Sequence, residues 1–267
     1  MSAYFFNRVK KSGIAITLTL SVVSSQLSVV SATSPLETAQ SDYNFEYSKF
    51  RDAQDKYVNS KNSYLTFKTA TAKDQAYLDS KAYLNQAINL YLAYLSLINE
   101  NANSLEWQND QTDTQVINII KDLKNSYLQQ EQLINLSQTL EDLSTDAATL
   151  SEKQTKEINP ALYWMITNLE LARARQLQNQ FENLATTLAQ NKQAFANTTT
   201  MSNWQSEIDN ISNNSKAHIT EAQKQMERVT PDRASEGDAQ AIASTVALSR
   251  NELKKAVPLF NEAAKNQ

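Results

Sequence analysis

The chain has 267 residues, a formal net charge of −4, no Cys, one His, two Gly and four Pro. These counts exclude disulfide frameworks, thiolate metal sites, cysteine nucleophiles and multi-histidine metal cages. Two glycines cannot supply the φ > 0 turns and close backbone approaches that phosphate-cradling loops, hairpins and nucleophile elbows need, so dinucleotide-binding, P-loop and most β architectures are excluded too.

Residues 1–32 read as an export segment. Arg8, Lys10 and Lys11 form a basic start, Ile14 to Leu20 an apolar stretch, and Val30-Ser31-Ala32 a small-residue cleavage site before Thr33-Ser34-Pro35. The same stretch is long enough to act as an uncleaved N-terminal membrane anchor. On either reading, 33–267 is expected to be exported, as a periplasmic, cell-surface or secreted body. Three of the 25 basic residues and none of the 29 acidic ones fall in this segment, which leaves 22 against 29 and a net charge of −7. An acidic chain without a basic stripe repels phosphate backbones, so no nucleic-acid partner is expected. No later run approaches spanning length, and membrane contact is expected only through the N-terminal segment if it stays uncleaved.

The rest is rich in neutral polar residues, with 26 Asn, 23 Gln, 26 Ser and 22 Thr over the whole chain. Such a composition alone would suit disorder. Apolar residues at helical intervals predict folded helices instead. From about Leu36 to Thr69, Leu36, Tyr43, Phe50, Tyr57 and Tyr64 recur every seven residues and predict one buried seam. From about Thr71 to Asn103, Tyr77, Leu84, Tyr91 and Ile98 repeat the interval, with Ile88 and Leu95 on the same face. The short stretch Lys68 to Asp74 between them predicts an antiparallel hairpin over 36–103. Polar Asn99 to Asp113 reads as a linker, and Thr112 with Gln115 as a capping box opening the remaining helices, 112–267.

Apolar positions from Val116 through Tyr127, Leu140 and Leu150 predict one helix reaching Glu157, which at ~1.5 Å per residue would be ~65 Å long. Asn159-Pro160 predicts the start of a fourth helix, with proline at its first position. The stretch Asn197 to Asn203 ends it. Trp204, Ile208, Ile211, Ile219 and Met226 give a fifth helix, which Thr230-Pro231 stops. Ser235 with Asp238 opens a sixth, in which Pro258 predicts a kink or an early end. The expected fold is all-α: an elongated antiparallel bundle of long coiled-coil-like helices, made of an N-terminal hairpin and about four further helices.

Chemistry is sparse. His218 and Glu221 share a helix face. Such a pair can ligate a metal or serve as a base, and it resembles the His-x-x-Glu motif of imelysin-like periplasmic helical proteins, with Lys216 where that motif has glycine. A di-metal carboxylate bundle needs a second histidine. Asp232, Glu236 and Gly237 fit three positions of a calcium loop, but Ala234 and Ala243 stand where ligands are required. No Gly-x-Ser-x-Gly and no Ser-x-x-Lys occurs. The reading assigns no catalytic, cofactor-binding or metal-binding residue and no cofactor.

Tyrosine is the positive anomaly: eight of eleven lie between Tyr43 and Tyr94. Most fall on the seams and read as core. Tyr47, Tyr83 and Tyr94 lie off them and are read as a possible interaction face. The stretch Tyr64-Leu-Thr-Phe-Lys-Thr-Ala-Thr, with Tyr77-Leu and Tyr91-Leu-Ala-Tyr-Leu, resembles secreted all-helical proteins of bacteria with small genomes. That resemblance implies fold and export but no activity. The expectation is a non-enzymatic exported bundle that acts by protein–protein binding, self-association or scaffolding in the cell envelope. One alternative is a metal-dependent or hydrolytic enzyme at His218 and Glu221. Another is a helical pore-forming or membrane-remodelling protein.

Overall fold

A computed structural model of the chain describes residues 34–107, 110–190 and 198–265. The export segment read over 1–32 lies outside the described residues, as does the start of the Asn197–Asn203 stretch. The chain is all-α: the described residues hold eight α-helices and one π-turn, and no strand. None of these helices is long and apolar enough to cross a membrane. The chain divides into two compact units: the part up to Ser104 with Ile117–Lys156, and Leu105–Val116 with the part from Glu157 onward. The leading hairpin therefore shares its unit with a second pair of helices.

In the first unit, Pro35–Phe67 (α1) and Ala70–Asn103 (α2) form the antiparallel hairpin that the heptad spacing predicts. Ser34 caps α1 in a reciprocal box with Glu37, and Pro35 takes the first turn, where a missing N–H costs nothing. Lys68 closes α1 in left-handed space at φ 52°, and its N–H donates to Tyr64 O at 3.0 Å. Thr69 then caps α2 by accepting from the Ala72 N–H at 3.2 Å.

Partners cover α2 on two sides, and this places its tyrosines. Asp110–Leu136 (α3) and Leu140–Lys153 (α4) follow in the chain. Toward α1, Tyr83 stacks on Tyr57 with ring centroids 5.0 Å apart and lies 5.3 Å from Phe50, while Tyr94 lies 5.6 Å from Tyr43. Toward α3, Tyr91 stacks on Tyr127 at 5.0 Å, and the Tyr77 hydroxyl donates to Ser137 O at 2.7 Å. Lys81 Nζ donates to Asn135 O at 2.8 Å and Ser137 O at 3.1 Å, which satisfies carbonyls left over at the end of α3. Gln154 donates to the Tyr91 hydroxyl. Ile88, Leu95, Ile98, Ile134 and Leu143 fill the core between these contacts.

Three expectations need correction. The linker is shorter than Asn99–Asp113: α2 runs to Asn103, because Ala102 and Asn101 are buried and the Asn101 amide donates to Leu97 O at 2.8 Å. Helix α3 starts at Asp110, two residues before Thr112. The single helix to Glu157 is two helices: Thr139 and Asp142 form a capping box that starts α4, and the Ser137 hydroxyl donates to the Asp146 carboxylate of that helix. Gln154–Ile158 is a π-turn between α4 and Asn159–Gln190 (α5), so no cap precedes Pro160.

The second unit packs α5, Thr198–Met226 (α6) and Glu236–Lys254 (α7) against one another, with Val257–Lys265 (α8) at the end. Ser235 caps α7 with Asp238, as predicted. Helix α7 stops before Pro258, which enters the first turn of α8. Phe181, Leu188, Trp204, Ile208 and Ile211 form a core cluster, with Phe260 edge-on to Phe181 at 5.5 Å. Polar ties lock the register: Ser215 and Ser249 share a buried hydrogen bond of 2.8 Å, and Gln178 donates to Ser212 at 2.9 Å.

Candidate functional site

The predicted tyrosine face does not form. Tyr47 is exposed, but Tyr83 and Tyr94 are each only 5% exposed and face α1. The correction has a packing cause. Their side of α2 also carries the small buried residues Ala76 and Ser80, which admit a close partner helix, while the Tyr77–Tyr91 side is taken by α3. His218 is half-buried, and Glu221 is exposed, accepting from Gln225 at 3.5 Å. Among the described residues, no group of three or more His, Asp and Glu side chains is placed to hold a metal ion.

A concave site occurs elsewhere, within the second unit. Trp164, Asn168, Leu171, Ala172 and Arg175 lie at helical spacing along α5 and make one stripe of its surface. This stripe forms one wall of a cleft of about 600 Å³. Gln223, Met226 and Glu227 from the end of α6, with Val229, Thr230 and Pro231 from the turn after it, form a second wall. Glu106, Trp107, Thr112 and Gln115 close the third side. Small-ligand sites typically span ~300–1,000 Å³ and combine apolar walls with a few fixed polar groups.

Arg175 is the unusual group in this cleft. Two other guanidinium groups of the unit, Arg173 and Arg250, share the carboxylate of Glu170, with Arg173 at 3.6 Å. Arg175 makes no ion pair or hydrogen bond among the described residues, although it is half-buried. Removal from water lowers its guanidinium pKa below the ordinary arginine value. A half-buried guanidinium without a counter-ion keeps its donors open to an incoming anion. Trp164, which is buried, and Trp107, which is half-buried, line the same cleft as Arg175. Asn168 is buried, and its side-chain amide donates to Trp164 O at 2.9 Å, which fixes its orientation. Glu106 and Glu227 are exposed and bring negative charge to the lining.

The arrangement can bind. It offers a half-buried cation and two exposed carboxylates in one lining, with apolar side chains between its walls. Sequence reading missed the site because its lining comes from three separate segments. The signal that could have found it is Arg175 placed seven residues after Asn168 and three after Ala172, a charge on an otherwise buried stripe. Comparison with protein-family models, with curated proteins and with solved structures finds no match for the chain.

Proposed function

We propose that the chain is a non-enzymatic, exported helical protein that acts by binding a protein partner, and that the cleft of the second unit is its recognition site. The observation that carries this reading is Arg175: a half-buried guanidinium without a counter-ion among the described residues, lining a cleft to which Trp107 and Trp164 also contribute. Charge-assisted hydrogen bonds to arginine are among the strong ones, and aromatic and arginine side chains dominate the energetics of recognition surfaces. The basic, apolar start of the sequence supports export. The enzyme alternative at His218 and Glu221 draws no support from the geometry, because neither residue lines the cleft.

The test compares partner capture by the full chain and by Arg175→Met, which keeps the apolar stem and removes the charge. Crosslinking on native envelopes is expected to yield a partner with the wild-type chain that the variant fails to capture, at unchanged helix content by circular dichroism. Identical capture by both would overturn the assignment of the cleft.

A further inference from the structure

Resting on the reading of the cleft as a recognition site, we infer that its occupant is the C-terminal end of a polypeptide, with the free carboxylate on Arg175, an apolar last residue between Trp107 and Trp164, and a basic residue just upstream at Glu106 and Glu227. Four observations on the lining lead there. Arg175 is the one cation among the described lining residues and has no counter-ion there, so the ligand group that meets it is an anion, and a planar carboxylate matches the guanidinium fork. The walls beside it are apolar, from Leu171, Ala172 and Met226 with the two indoles, so the anion is attached to an apolar body. Asn168, Gln115, Gln223 and Thr230 add donors and acceptors suited to peptide amides. The two carboxylates are exposed, where they repel a polyanion and favour a ligand whose outer part is positive.

Size narrows the class further. A cleft of about 600 Å³ lies mid-range for small-ligand sites, room for a peptide end of two or three residues rather than one free amino acid. A phosphate or sulfate alone would satisfy Arg175 but leave the half-buried Trp107 uncovered. A fatty acid would cover Trp107 but bring nothing to Glu106 and Glu227. Only an occupant with an anionic end, an apolar middle and a cationic outer part uses all three features.

The experiment titrates the full chain with N-acetyl-Lys-Leu-Phe bearing a free carboxylate, followed by tryptophan fluorescence and calorimetry. The comparators are its C-terminal amide, N-acetyl-Glu-Leu-Phe and 3-phenylpropionate, each tested on wild type and on Arg175→Met. The expected result is saturable binding of the free acid, at least tenfold weaker binding of the amide, several-fold weaker binding of the Glu peptide, and loss of the acid–amide difference in Arg175→Met. Equal binding of acid and amide by the wild type would overturn the inference. Binding of phenylpropionate that depends on Arg175, with no binding of any peptide, would overturn the peptide end while leaving the cleft as a recognition site. Absence of binding by every probe would remove both. Arg175→Lys, which keeps charge but not the planar fork, is expected to retain a weaker preference for the acid, so a fold defect and a recognition defect read differently.

Discussion

Alkaline pH is predicted to unfold the first unit before the second. Tyr57, Tyr83 and Tyr94 are each 5% exposed and Tyr127 is 1% exposed, all in the first unit. Burial raises the phenol pKa of each above its usual value, and neighbouring phenols add to the effect at Tyr57, Tyr94 and Tyr127. The unfolded chain keeps phenol pKa values of about 10, so above that pH it sheds protons that the folded unit still holds. Stability contributed by the neutral rings is intact below pH ~10 and falls as pH rises through that value toward the folded pKa. At pH ~11 each tyrosine whose phenol is held far above its usual value, Tyr57, Tyr94 and Tyr127, favours the unfolded state by about 1.4 kcal/mol, so the three contribute about 4 kcal/mol. That is a large share of the stability of a typical domain, ~5–15 kcal/mol. The second unit holds one tyrosine, Tyr163, which is half-buried, and all three tryptophans. Tyrosinate absorbance therefore reports the first unit and tryptophan fluorescence the second. The expected result is cooperative tyrosinate formation together with a loss of part of the helical circular dichroism between pH ~10 and ~11.5, while tryptophan emission stays native. Gradual tyrosinate formation around pH ~10 with full helix content would mean that the rings titrate in place, and the reasoning would be refuted.

Other expectations follow from the same contacts. The hydroxyls of Tyr94 and Tyr127 are buried without a hydrogen-bond partner among the described residues, so Tyr94→Phe and Tyr127→Phe should each stabilise by about 1 kcal/mol in urea denaturation at neutral pH. Replacing Leu143, which is fully buried, by Ala should lower stability by about 2–5 kcal/mol in the same assay. Ser215→Ala and Ser249→Ala should each cost about 1–3 kcal/mol by orphaning the other hydroxyl, and the double substitution should cost less than the two singles together. The Thr139 hydroxyl, with the Gln138 and Thr139 N–H groups, holds the Asp142 carboxyl below the usual carboxylate range, so its contribution is present above pH ~4 and lost as pH falls below it. Asp142→Asn should accordingly flatten that part of the acid unfolding curve followed by circular dichroism.

The hairpin was legible because its information is local. Seven-residue spacing at Tyr43, Phe50 and Tyr57 specifies a helix and its buried stripe without reference to any partner, and a connection as short as Lys68-Thr69 leaves only an antiparallel return. The Ser235–Asp238 cap and the stop before Pro258 were legible for the same reason, since capping and proline geometry act within one turn. The break at Ser137–Thr139 was equally local, carried by Thr139 and Asp142, but an unbroken apolar rhythm from Ile134 to Leu143 concealed it. The fate of Tyr83 and Tyr94 was not local. An off-seam tyrosine is exposed on a lone hairpin and buried when a helix has partners on two sides, and that choice rests on α3, α4 and the small side chains Ala76 and Ser80.

The sequence by itself determined the helices and most of their ends, because those depend on residue type and short-range periodicity. Helix spacing decided which of two neighbouring arginines meets a carboxylate, and tertiary structure alone decided what the other one lines. Arg173 and Arg175 are two residues apart on one helix, yet Glu170 lies within reach of the first and not of the second. A rotation of ~200° along the helix points the two in different directions. The convergence of α5 with the end of α6 and Leu105–Val116 then makes Arg175 a half-buried charge in the lining of a cleft, because burial is a property of neighbours brought together from distant parts of the chain.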